Sequence, residues 1–183
     1  MTVSALDRPL GLPTLIMGVL TTALALWPTK GTPWPLLNEI SWAVLPLVAG
    51  LFVLVEAVNA TGAAAYLAGL LKAGAAASAS STGAVAGGGL AIVSNLMNNL
   101  PAGLIASTVI QQAHPSKPIV DALLIGVDLG PNLSITGSLA TILWLTAIRR
   151  EGEHVGFWRF LKVGALATPP ALCLAMGLRL WIG

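Results

Sequence analysis

A chain of 183 residues that is 56% hydrophobic and only 9% charged reads as an integral membrane protein, because soluble domains carry about 25% charged residues. A net charge of +2, with no basic patch interleaved with aromatics, argues against a nucleic-acid partner. The single cysteine, Cys173, excludes an intrachain disulfide and a cysteine-based zinc site.

Asp7 and Arg8 precede the first apolar run, Pro13 lies at its start, and no small-residue cleavage site follows cleanly. The run is therefore a retained helix rather than a signal peptide. Residues 10–27 form the first predicted transmembrane span. At 1.5 Å per residue it covers roughly 27 Å of a ~30 Å hydrocarbon core. Trp27, Trp34 and Trp42 suit the membrane interface. Residues 28–35 (PTKGTPWP) are a connector containing Lys30. The second predicted span, 40–58, contains Pro46, a kink candidate, and Glu56 near its end. Glu56 is either an interfacial carboxylate or a proton-handling acid.

Residues 64–73 are expected to form a short interfacial helix, with Tyr66, Leu67, Leu70 and Leu71 among Ala and Gly and ending near Lys72. The small-residue stretch 73–89 reads as a loop followed by the first arm of a hairpin, since small residues let helices approach closely. Its run Gly87–Gly89 lacks a phosphate-binding Lys and serves packing or a bend. Residues 84–112 are predicted to be a re-entrant hairpin around the polar tip SNLMNNLP, because each arm, about 10–14 residues, is too short to span. Residues 113–118 (AHPSKP) return to the surface, and His114 there has no second His or Cys beside it.

Residues 119–148 are predicted to be a broken span, split by DLGPN at 128–132. Pro131 lacks a backbone donor and Gly130 permits unusual dihedrals. The second half-helix is expected to start near 132–138, with its free N–H groups toward the membrane centre. The connector 149–162 carries Arg149, Arg150, Arg159 and Lys162 and is assigned to the cytoplasm. Lys30 falls on the same side, and Arg8, Lys72, Lys117 and Arg179 on the other. Trp144 and Trp158 are read as interface anchors, and residues 163–181 as the last span.

The expected fold class is thus all-α integral membrane: one domain, 1–183, with about four transmembrane helices plus one re-entrant helical hairpin, one of the helices discontinuous. Irregular backbone at membrane depth survives only against protein or a water-filled cavity. Two such breaks read as the binding site of a secondary transporter. The candidate substrate-binding residues are Asn95, Asn98, Asn99, Asn132, Ser134, Thr136 and Ser138. Asp128 is the ionisable group within the breaks and the candidate for proton coupling. Its other reading, a cap or a bond to unwound backbone, stays open. Met97 either lines the tip or fills a gap. No H-E-x-x-H, P-loop, nucleophile elbow or GxGxxG is present, so no enzyme, metal or cofactor is expected.

The segments WAVLPLVAGLFVLVEAVNATG (42–62), MNNLP (97–101), DLGPNLSITGSLATILW (128–144) and the RR…FWRF…TPP ending resemble the arsenite/antimonite efflux permeases. These belong to the ion-transporter superfamily that includes dicarboxylate and citrate carriers. The resemblance runs from about Asp7 to the end and covers the C-terminal half of the family pattern, one repeat of an inverted-repeat transporter. Some relatives have Lys where this chain has Asn132. The tip lacks the Ser-Asn-Thr motif of the dicarboxylate carriers.

The resemblance implies a multi-pass antiporter of the inner (cytoplasmic) membrane that exports arsenite or antimonite, coupled to protons. It implies a second chain or missing N-terminal repeat as partner, and in some members a soluble ATPase subunit. The alternatives are a same-fold carrier of another anion, such as a dicarboxylate or citrate, and a non-transporting truncated fragment. Arsenite near neutral pH is a small uncharged trihydroxide, matched by the neutral donors and acceptors of the breaks. Cys173 is not read as an arsenic ligand: one thiol cannot chelate, and it lies in the last span. It is a small packing residue.

Overall fold

The computed structural model describes residues 11–27, 32, 34, 38, 40 and 42–182. Asp7, Arg8, Lys30 and most of the 28–35 connector lie outside the described residues. The described regular structure is helical, without a strand among the described residues. The chain divides into two units, Met1–Pro46 and Leu47–Gly183.

The first unit holds α1 (Gly11–Leu26), none of whose residues is buried. It is apolar all round, with Leu12, Ile16, Val19 and Leu24 exposed. A helix without a polar face is stable when lipid or protein covers it.

Helix α2 (Val44–Ala60), which belongs to the second unit from Leu47 onward, ends at Thr61–Gly62, where Gly62 takes φ 79°. There the chain bends by 66° into α3 (Ala63–Ala77). Helix α3 continues past the expected 64–73, and the loop expected within 73–89 is absent. Ser78 alone interrupts the helix, its side chain accepting from the Ser81 N–H to start α4 (Ala79–Met97). Alanine has the highest helix propensity, and one serine cap suffices to restart the helix.

Asn98, with φ 78° and ψ 150°, turns the chain into α5 (Asn99–Ala113). Next come α6 (Lys117–Leu129), two 3-10 turns at Gly130–Leu133 and Ile135–Gly137, α7 (Leu139–Arg150) and α8 (Phe157–Ile182). The break therefore falls later than 128–132. Pro131 is the first residue unable to donate to the helix ladder, so Asp128 stays on the last turn of α6. Helix α8 is, among the described residues, the one helix long and apolar enough to cross a membrane alone; α2 and α3 pass that test only as a bent pair.

Small residues govern the packing of the second unit. On α4 they recur as Gly83, Gly87 and Ala91, and along α6 and just past its end as Ala122, Gly126 and Gly130. A Cβ on Gly126 would collide with the Gly87 carbonyl oxygen, and one on Gly130 with Ala91. The two helix backbones are thus in direct contact, the arrangement that small-xxx-small patterns produce in membrane helices. Beside this crossing, Ala64, Ala68 and Leu71 of α3 pack on Val109 and Ala113 of α5 and on Ile119 and Leu123 of α6. Many large apolar side chains point away from this core, among them Leu166 and Trp181 of α8, which suits a lipid or protein surround.

Candidate functional site

The α4–α6 crossing brings the turn at Asn98 against the unwound stretch between α6 and α7. The C-termini of α4 and α6 meet the N-termini of α5 and α7 here. Free carbonyls and free N–H groups are therefore both near, with the opposing partial charges of helix ends. Ser138 caps α7, accepting from the Ala140 N–H at 3.2 Å. Asn98 caps α5, accepting from the Leu100 N–H at 3.3 Å. Its amide also donates to the Thr136 carbonyl across the breaks, at 3.2 Å.

Asn95 is the hub. Its Nδ2 donates to the Ala91 carbonyl at 2.8 Å and to the Gly130 carbonyl at 2.7 Å. Its Oδ1 accepts from the Ser134 N–H at 3.0 Å and from the Ser134 hydroxyl at 2.9 Å. Two carbonyls on one side and a backbone N–H on the other fix the amide orientation. The Thr136 hydroxyl donates to the Asn95 carbonyl at 3.0 Å and lies 3.1 Å from the Ser134 hydroxyl. Ser94, fully buried, bonds back to the Ala91 carbonyl.

The remaining candidates differ in their surroundings. Asn132 is exposed and donates to the carbonyls of Asp128 and Leu129 in the last turn of α6, just before its own 3-10 turn. Asp128 is exposed and Asn99 half-buried, and neither side chain has a hydrogen-bond partner among the described residues. Ser138, not Asp128, caps α7. Leu124, Asp128, Asn132 and Thr136 are all exposed; the first two lie on one face of α6, whereas Asn132 and Thr136 lie in the two 3-10 turns beyond its end. No cation is bonded to these groups, and no cluster of three or more His, Cys, Asp or Glu occurs among the described residues. Met97 is half-buried and lines an apolar cavity of about 630 Å³ formed by α3, α4, α5 and Leu123 of α6. Cys173 is exposed on α8.

Two features escaped the sequence reading. Gly164 of α8 packs on the carbonyls of Asn132 and Leu133, leaving no room for a Cβ. Helix α8 thus buttresses the unwound stretch. Asp121 of α6 accepts from Lys117 at 2.8 Å and from Arg179 of α8 at 2.6 Å. The four-residue spacing of Lys117 and Asp121 was the available signal for half of that cluster. The Gly83/Gly87/Ala91 period was the signal for the crossing.

A family model described as arsenical pump membrane protein matches residues 21–182. An arsenical pump membrane protein of Yersinia enterocolitica is 30% identical over 188 residues, covering 94% of this chain and 43% of that protein. One from Escherichia coli K12 is 30% identical over 155 residues, 79% of this chain and 35% of that protein. An uncharacterised transporter of Mycobacterium tuberculosis is also 30% identical, over 80% of this chain and 35% of its own length. The chain thus spans 35–43% of the length of these curated relatives. No solved structure matches.

Proposed function

The chain belongs to the arsenical pump membrane protein family, and from that premise we propose that it is one repeat of a secondary transporter exporting arsenite or antimonite. The chain lies in the inner membrane as a multi-pass protein. Its 84–112 segment is the re-entrant hairpin and its 119–148 segment the discontinuous helix. The other repeat comes from a second chain or a missing N-terminal segment, and a soluble ATPase subunit is a further candidate partner.

The observation that carries this reading is the set of exposed polar side chains Asp128, Asn132 and Thr136 at and beyond the end of α6, in a stretch bonded to the Asn98 turn through the Thr136 carbonyl. Uncovered polar groups at membrane depth require a protein or water-lined cavity opposite them. A second repeat placed there would close such a cavity. The site offers donors and acceptors together, from amides, hydroxyls and the ends of four helices. A neutral trihydroxide, which donates and accepts, fits it. A dicarboxylate would arrive with two negative charges and meet Asp128 with no cation bonded nearby.

Export then proceeds by alternating access. The trihydroxide binds from the cytoplasm against Asn99 and the freed backbone groups. Asp128 takes a proton from the outer side and gives it up inside, which ties outward movement of a neutral substrate to inward proton flow. The test is arsenite uptake into everted vesicles containing the transporter in its complete assembly. Asp128→Asn should abolish dependence on the proton gradient, and Asn99→Ala should raise the arsenite concentration needed for half-maximal uptake. Vesicles that accumulate a dicarboxylate and ignore arsenite would refute the assignment.

A further inference from the structure

We propose that Asn95 is a positioning residue rather than a substrate ligand: it clamps the Asn98 turn to the Gly130–Ser138 stretch, so that both breaks move through the transport cycle as one body. This rests on the transporter reading and specifies which groups of that site do what. A carboxamide has two N–H hydrogens and an oxygen with two lone pairs. Asn95 spends all four on this chain, at Ala91, Gly130 and twice at Ser134. Nothing is left for a substrate unless the clamp opens. Its own carbonyl is taken by the Thr136 hydroxyl.

The partners span both breaks. Ala91 lies on α4 below the turn, Gly130 begins the unwound stretch, and Ser134 separates its two 3-10 turns. A second tie, Asn98 to the Thr136 carbonyl, acts in parallel. Ser134 and Asn98 are buried, at 7% and 8% exposure, so water does not readily replace these bonds. Tied at several atoms, the turn cannot swing away from the unwound stretch without leaving buried polar groups unpaired, which is costly. Asn99 and Asp128 have no side-chain hydrogen bond among the described residues, and the Asn132 amide oxygen and the Ser138 hydroxyl hydrogen are also unspent, so these groups remain free to meet a substrate.

The clamp is tested by separating rate from affinity. Asn95→Ala, Ser134→Ala and the double variant are compared in the transporter as assembled in its membrane. A lost positioning contact should lower the maximal rate of arsenite transport at least tenfold while moving the half-saturating concentration by less than about threefold, and the double variant should be no slower than the slower single one. Asn95→Ala that keeps the maximal rate and raises the half-saturating concentration tenfold or more overturns the proposal: Asn95 then contacts substrate.

A second measurement does not depend on arsenite. Thermal denaturation of the purified protein should show that Asn95→Ala and Ser134→Ala each lower the melting temperature and that together they cost no more than the larger alone. Asn99→Ala should leave it unchanged. Additive effects would refute the clamp even in a protein that transports nothing. A parent inactive toward arsenite, with the non-additivity intact, would sink the functional reading and leave the clamp standing.

Discussion

Gly87 and Gly88 are neighbours on α4, yet the structure predicts opposite outcomes for the same substitution. A Cβ on Gly88 meets nothing within 4 Å, whereas one on Gly87 meets the Ala122 carbonyl of α6 and the methyl of Met176 on α8. Gly88→Ala should stabilise the helix by roughly 0.5–1 kcal/mol, because alanine loses less chain entropy than glycine. Gly87→Ala gains the same amount but forces α4 and α6 apart by about 1 Å. A gap of that size forfeits a quarter to a half of each contact's ~0.1–0.2 kcal/mol. Over a few dozen atom pairs the loss is about 2 kcal/mol, in the usual range for overpacking. The separation also stretches the 2.7 Å bond from Asn95 to the Gly130 carbonyl, adding roughly 1 kcal/mol. The net cost is about 2 kcal/mol. For a chain of this size that corresponds to roughly 4–8 °C. The assay is thermal unfolding in mild detergent, read from the intrinsic fluorescence of the tryptophans. If Gly87→Ala melts within 1 °C of the parent, or below it by no more than Gly88→Ala does, the direct backbone contact is wrong.

Other substitutions probe the remaining supports. Asn98 combines φ 78° with bonds to the Leu100 N–H and the Thr136 carbonyl. Asn98→Gly relieves the strained dihedral while losing the bonds and should cost under about 1 kcal/mol, whereas Asn98→Ala keeps the strain and should cost about 2 kcal/mol; melting curves in the reverse order would contradict this. Gly164→Val drives a branched side chain into the Asn132 and Leu133 carbonyls and should cost more than about 2 kcal/mol. Gly177→Ala, with open space on the same helix, should be neutral or stabilising by the same measurement. Lys117 is 79% exposed and Arg179 only 23%, so Arg179→Ala should lower the melting temperature distinctly more than Lys117→Ala; equal effects would show that the α6–α8 tie is unimportant.

Helix positions and the residues gathered at the breaks were legible because polar interruptions stand out in an apolar sequence. The pairing between them was not. Nothing in 94–101 or 128–138 states that Asn95 reaches Ser134 rather than solvent, because that depends on how closely α4 and α6 approach. The closeness is set by glycines whose effect is the absence of a side chain. The alanine- and serine-rich stretch 73–89, which forms the end of α3 and the first half of α4, misleads for a related reason. In isolation its composition suits a flexible linker, and it becomes a helix where Ser78 caps it and α6 packs against it. Asp128 was placed inside the break because its neighbours Gly130 and Pro131 disrupt helices. The disruption acts on the bonds that Pro131 fails to donate, and so takes effect after Asp128.

The glycine contacts and the Asn95 clamp are successive rungs of one ladder. Asn95 meets Ser134 at a sequence separation of 39 residues. Gly87 against Gly126 and Ala91 against Gly130 have the same separation. A constant offset at four-residue steps means that α4 and α6 run parallel, with one pair contributed per turn. The lower rungs are small and hold the backbones in contact; the top rung is polar and reaches across where both helices end. A shift by one turn, about 5.4 Å, would set Asn95 opposite Gly130 or beyond Ser134 and unmake the clamp. A shift by a single residue would set side chains where only glycine fits. The small residues therefore set the distance and Asn95 sets the register.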